Sequence, residues 1–194
     1  MLYIHLDDWL ILSKNPKMLN FHRLLSILSF IFIFSLISQA DHHDSATINT
    51  TKLVVQVCNQ TSNYTFCVEA LYTDPRTPDA DRYSLAYVSF GLAYVNATTT
   101  QDRITKLLKN ATTVHDRDSL QTCQSDYKKA INALQSAFND LDSETFFTLP
   151  GLANDTAKAA AHCQTHYPPL TSKTKELNHL SEICIAISKS FVTT

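Results

Sequence analysis

Only two of the 194 residues are glycine, Gly91 and Gly151, and this scarcity constrains the chain more than any other feature. A phosphate-cradling loop, a dinucleotide fingerprint or a nucleophile elbow needs two or more closely spaced glycines, because only glycine tolerates left-handed backbone angles or close approach to a ligand. Two glycines sixty positions apart make none of these. Glycine at about 1%, against a usual 7%, also argues against a turn-rich sandwich or barrel and for long helices with few tight turns. With 16 basic and 18 acidic residues and a net charge of −2, the chain carries no basic field for nucleic acid.

The most hydrophobic segment, Leu24 to Ile37, is shorter than the roughly 20 residues of a membrane span. It fits the 7 to 15 of a secretory apolar region. His22 and Arg23 precede it, and Ser38-Gln39-Ala40 follows with small residues at the positions a signal peptidase reads. We therefore expect residues 1–40 to be a signal peptide cleaved after Ala40, leaving a mature chain of 41–194 with no membrane segment. Asp7 and Asp8 are acidic where such a leader begins basic, so Met18 is the better start and residues 1–17 read as an upstream extension. Secretion is supported independently by Asn-x-Ser/Thr triplets at Asn49, Asn59, Asn63, Asn96, Asn110 and Asn154.

All five cysteines, Cys58, Cys67, Cys123, Cys163 and Cys184, fall after the leader, where an oxidising compartment makes disulfides the default. Apolar residues at Leu120, Cys123, Tyr127, Ile131, Leu134, Phe138 and Leu141 step by threes and fours, the stripe of a bundle helix. Leu177, Leu180, Cys184, Ile187 and Phe191 repeat it. Leu85, Val88, Leu92 and Val95 open a helix that runs on to Ile104, Leu107 and Leu108, and the Ala-rich stretch Leu152 to Tyr167 is stopped by Pro168-Pro169. That makes four helices over 79–192. Two shorter ones, Thr47 to Asn59 and Tyr64 to Tyr72, form a hairpin over 47–73, joined to the bundle through Asp74-Pro75-Arg76-Thr77-Pro78. The fold class is all-α. Spacing and helical phase pair Cys58 with Cys67 and Cys123 with Cys163, closing loops worth about 2.7 and about 3.9 kcal/mol by chain entropy. Cys184, on a packed stripe, is left as a buried free thiol.

His162 and His166 stand four apart, a spacing that can hold a metal. They lack the intervening glutamate of a metalloprotease helix and an evident third ligand, so a solvated helix face is the plainer account. No constellation for catalysis, cofactor or metal is legible.

The cysteine pattern and several local strings together resemble the plant invertase and pectin methylesterase inhibitor family, closest to its pollen-type invertase inhibitors. The strings are Asn63-Tyr64-Thr65-Phe66-Cys67-Val68, the run CQSDYKKAINAL from Cys123 to Leu134, and Ala157-Lys158-Ala159-Ala160-Ala161-His162-Cys163. The resemblance covers Thr47 to Phe191. It implies a non-catalytic, monomeric protein of the apoplast or cell wall, built as an up-and-down four-helix bundle after a helical hairpin. It further implies 1:1 docking on the cleft of a pectin methylesterase or an acid invertase. In the invertase branch of the family a Pro-Lys-Phe motif after the second bundle helix enters the sucrose site. Here Thr145, Phe146 and Phe147 occupy that stretch; Phe147 stands where the motif's Phe does, while Thr145 and Phe146 replace Pro and Lys. These three are the candidate partner contacts, with capping of the bundle core as the alternative role of either Phe. The alternative for the whole protein is a secreted helical glycoprotein that keeps the scaffold without inhibiting.

Overall fold

The computed structural model describes residues 50–192. The leader, its cleavage point, the start at Met18 and Asn49 lie outside the described residues. Six α-helices follow in order: α1 (Lys52–Cys58), α2 (Tyr64–Leu71), α3 (Arg82–Asn110), α4 (Val114–Asp142), α5 (Leu149–His166) and α6 (Thr171–Val192). Each of the first four begins where a side-chain oxygen takes up an otherwise unpaired backbone N–H. Thr51 accepts from Val54, Asn63 from Phe66, Asp81 from Ser84 and Thr113 from Asp116. The cap at Thr51 starts α1 later than the expected Thr47, because a capping residue takes extended rather than helical backbone. The prolines act at the other junctions: 3-10 turns at Thr77–Asp79 and Pro168–Leu170 each contain proline, and Pro150 sits in the first turn of α5.

Helices α3 to α6 form an up-and-down bundle in which α3 packs on α4 and α6, and α5 packs on α4 and α6. The expected α4 stripe is in the core, with Leu120, Cys123, Tyr127, Leu134 and Leu141 buried, as are Leu177, Leu180, Cys184 and Ile187 of α6. Helix α3 corrects the reading. Leu85, Val88 and Ile104 are buried as expected, but Val95 is 62% exposed, and Phe90, Ala93, Ala97 and Thr100 complete the buried face. The large residues at 85, 88, 92 and 95 step by about 3.3 on average, and on a 3.6-residue helix that line drifts out of the core. Between Phe90 and Ile104 that face is made mostly of small side chains. Helix α5 likewise buries Ala153, Thr156, Ala159, Ala160 and Cys163, small enough for neighbouring helices to approach closely.

The hairpin α1–α2 is closed by Cys58–Cys67, and Cys123–Cys163 ties α4 to α5. Cys184 is free and wholly buried, and burial pushes its thiol pKa up, so it stays protonated and unreactive. Thr77, also buried, donates from Oγ1 to the carbonyl of Leu71, which fixes the exit of α2 towards α3.

Candidate functional site

The stretch between α4 and α5 turns at Ser143, whose N–H donates to the carbonyl of Asn139. Glu144 follows with φ 57°, a left-handed angle that costs a side chain about 1 kcal/mol. Beyond it the loop is anchored to one residue of the last turn of α4. The Thr145 N–H donates to the Asp140 carbonyl at 2.8 Å, and Thr148 Oγ1 donates to Oδ2 of the Asp140 carboxylate. Ser143 and Thr145 hydroxyls are 2.9 Å apart.

This anchoring separates the two phenylalanines. Phe146 turns inward and stacks on Phe191 of α6 with ring centroids 4.5 Å apart, while Tyr83 of α3 meets both rings edge-on at 5.5 and 5.2 Å. The Arg82 guanidinium lies 5.0 Å from the Tyr83 ring centre and 5.3 Å from that of Phe191, within cation–π range. Phe147, in contrast, is 73% exposed. Helix α4 is also held to α3 here, since the Tyr87 hydroxyl donates to Asp142 at 2.6 Å, and that bond to a carboxylate holds the phenol pKa above its usual value. The end of the bundle is thus an aromatic platform with one apolar ring standing clear of it. Sequence alone left the roles of Phe146 and Phe147 open; Asp140, Tyr83 and Arg82 lay outside the reading because their part is set by tertiary contacts.

A groove of about 600 Å³ runs between α2, α3 and α6, lined by Phe66, Val88, Leu92 and Leu180 among others, and carries neither histidine nor cysteine. Asn96 borders it and is only 8% exposed. Asn59, Asn63, Asn110 and Asn154 are exposed. Among the described residues no helix is long and apolar enough to cross a membrane.

Fold and site together define a disulfide-stapled helical module whose distinctive surface suits contact with another protein. The chain belongs to the plant invertase/pectin methylesterase inhibitor family, whose model matches residues 52–187. It is 37% identical over 124 residues to the cell wall/vacuolar inhibitor of fructosidase 2 of Arabidopsis thaliana, covering 62% of this chain and 68% of that protein. To a pectinesterase inhibitor of Actinidia deliciosa it is 29% identical over 143 residues, 70% of this chain and 77% of the relative. A mutant form of a pectin methylesterase inhibitor from Arabidopsis shares the fold, with TM-score 0.64 at 20% identity over 72% of this chain and 97% of that one. The family supports an inhibitor role with a carbohydrate-active enzyme as partner, and the protein is not an enzyme.

Proposed function

We propose that the mature chain, 41–194 after cleavage at Ala40, is secreted to the cell wall. There it blocks an acid invertase or a pectin methylesterase by seating the 143–148 loop in the enzyme's cleft as a 1:1 complex. The observation that carries this reading is the contrast between Phe146, anchored on Phe191, and Phe147, 73% exposed. An aromatic ring held out on a rigid support gives large contact area at low ordering cost. Thr145, pinned to Asp140, and Phe146 act as the support, and Phe147 is the group that enters the partner. The invertase is favoured as target, because the relative named for fructosidase is 37% identical and the pectinesterase inhibitor of Actinidia 29%.

Titration of purified protein into each enzyme between about pH 4.5 and 7 tests this. One activity is expected to fall with an end point near one inhibitor per enzyme. Phe147→Ala is expected to weaken inhibition by about 2 kcal/mol, more than tenfold, as for an interface anchor. Loss of neither activity would leave the scaffold as a secreted glycoprotein without inhibition.

A further inference from the structure

His162 and His166, idle in the inhibitor reading, occupy a setting that no sequence pattern reveals. They lie on the exposed side of α5 with ring centroids 4.3 Å apart. His162 Nδ1 is 2.6 Å from Oδ2 of Asp126 on α4, a carboxylate whose side chain is only 3% exposed. His166 Nδ1 is 2.9 Å from the backbone carbonyl of His162. A carboxylate and a carbonyl can only accept, so the proton of each ring is on Nδ1. In its neutral form each imidazole therefore presents its Nε2 lone pair. Protein metal ligands use the same device: a partner on one ring nitrogen sets the tautomer and orients the other.

We propose that Nε2 of His162 and Nε2 of His166 form a two-imidazole site for a divalent transition cation of the Zn²⁺ type, with Asp126 as its positioning residue. Imidazole suits Zn²⁺, Cu²⁺ and Ni²⁺. The nearby ammonium groups do not oppose the charge unopposed themselves: Lys129 is 3.3 Å from the other oxygen of Asp126, and Lys158 pairs with Asp155 at 3.5 Å. Among the described residues no third His, Cys, Asp or Glu joins the pair, so water fills the remaining positions and the site is an open one rather than a closed structural centre. Binding would staple successive turns of α5 next to the Cys123–Cys163 bridge.

Zn²⁺ titrated into the purified protein near neutral pH, followed by calorimetry, tests the assignment. The double variant His162→Gln/His166→Gln measures the background from other histidines, and both rings are exposed, so it keeps the fold. The wild type is expected to show one Zn²⁺ equivalent that the double variant lacks, with each single variant weaker by at least about tenfold. Asp126→Asn is expected to weaken binding by about 10- to 100-fold. It should also shift the ¹⁵N resonances of the His162 ring away from the Nδ1–H tautomer while leaving those of His166 in place, an effect general loosening would not confine to one ring. Equal Zn²⁺ binding by wild type and double variant, or none by either, overturns the site. Unchanged affinity and tautomer in Asp126→Asn overturns the positioning role, and if that variant unfolds the histidine variants still decide the site.

Discussion

The hairpin and the bundle are both helical and both stapled, yet they are held by different forces. Helices α1 and α2 have 7 and 8 residues, below the roughly 12 to 15 at which a lone helix becomes marginal in water. They bury Val54, Val57, Val68 and Leu71 beside their two cysteines, in the same core cluster as the bundle, so the hairpin depends on its disulfide and on docking against the bundle. A polar tether is added by Glu182 of α6, which accepts from the backbone N–H and the hydroxyl of Ser62 at 2.8 and 2.6 Å. The bundle helices have 18 to 29 residues and share a continuous core. What the contrast teaches is that one bond type does two jobs: Cys58–Cys67 makes a local structure possible, while Cys123–Cys163 reinforces one that packing already favours.

Removing the bridges separates these roles. Cys123→Ala/Cys163→Ala is expected to lower global stability in urea by about 3.9 kcal/mol, and Cys58→Ala/Cys67→Ala by about 2.7 kcal/mol on the same loop-entropy basis. Hydrogen exchange sharpens the comparison: the second variant should lose protection in α1 and α2 while α3 to α6 keep theirs. Equal loss in both regions would show that hairpin and bundle unfold as one unit. Next in size, in the loop between α4 and α5, Phe146→Ala is expected to cost about 1–2 kcal/mol for a half-buried ring. Phe147→Ala should stay within about 0.5 kcal/mol in the same denaturation assay, which makes it the clean probe of partner binding. Glu144→Gly relieves the left-handed backbone and is expected to add up to about 1 kcal/mol.

The smallest effect concerns the linker between the two regions. The Arg76 side chain and backbone N–H bond to Asp74 and lower its pKa from 3.8 to about 2. A carboxylate with a lowered folded pKa adds stability that is present above its unfolded pKa and lost as pH falls through its folded one. Asp74→Asn is therefore expected to reduce slightly the drop in Tm between about pH 4 and 2, a small change because the pair is near the surface.

Helix number, the order hairpin then bundle, and the burial of the α4 and α6 stripes were legible because large apolar residues recur there at helical spacing. The buried face of α3 was legible at Leu85, Val88 and Ile104 but not between Val88 and Ile104, since Ala93, Ala97 and Thr100 leave no hydrophobic signal and the bulky Val95 points elsewhere. Cysteine spacing and helical phase also pointed to which residues lie in the core, including Cys184, because burial follows from position on a stripe. Direction and pairing across helices are of another kind. Whether Phe146 or Phe147 faces outward depends on the anchoring at Asp140 and on the rings of Tyr83 and Phe191, and the nitrogens that His162 and His166 present depend on acceptors that folding sets beside them, Asp126 on another helix and a carbonyl one turn back. Local periodicity encodes what each helix buries. Only the packed bundle decides what its surface offers, because contacts such as His162–Asp126 and Ser62–Glu182 join residues 36 and 120 positions apart that no local pattern connects.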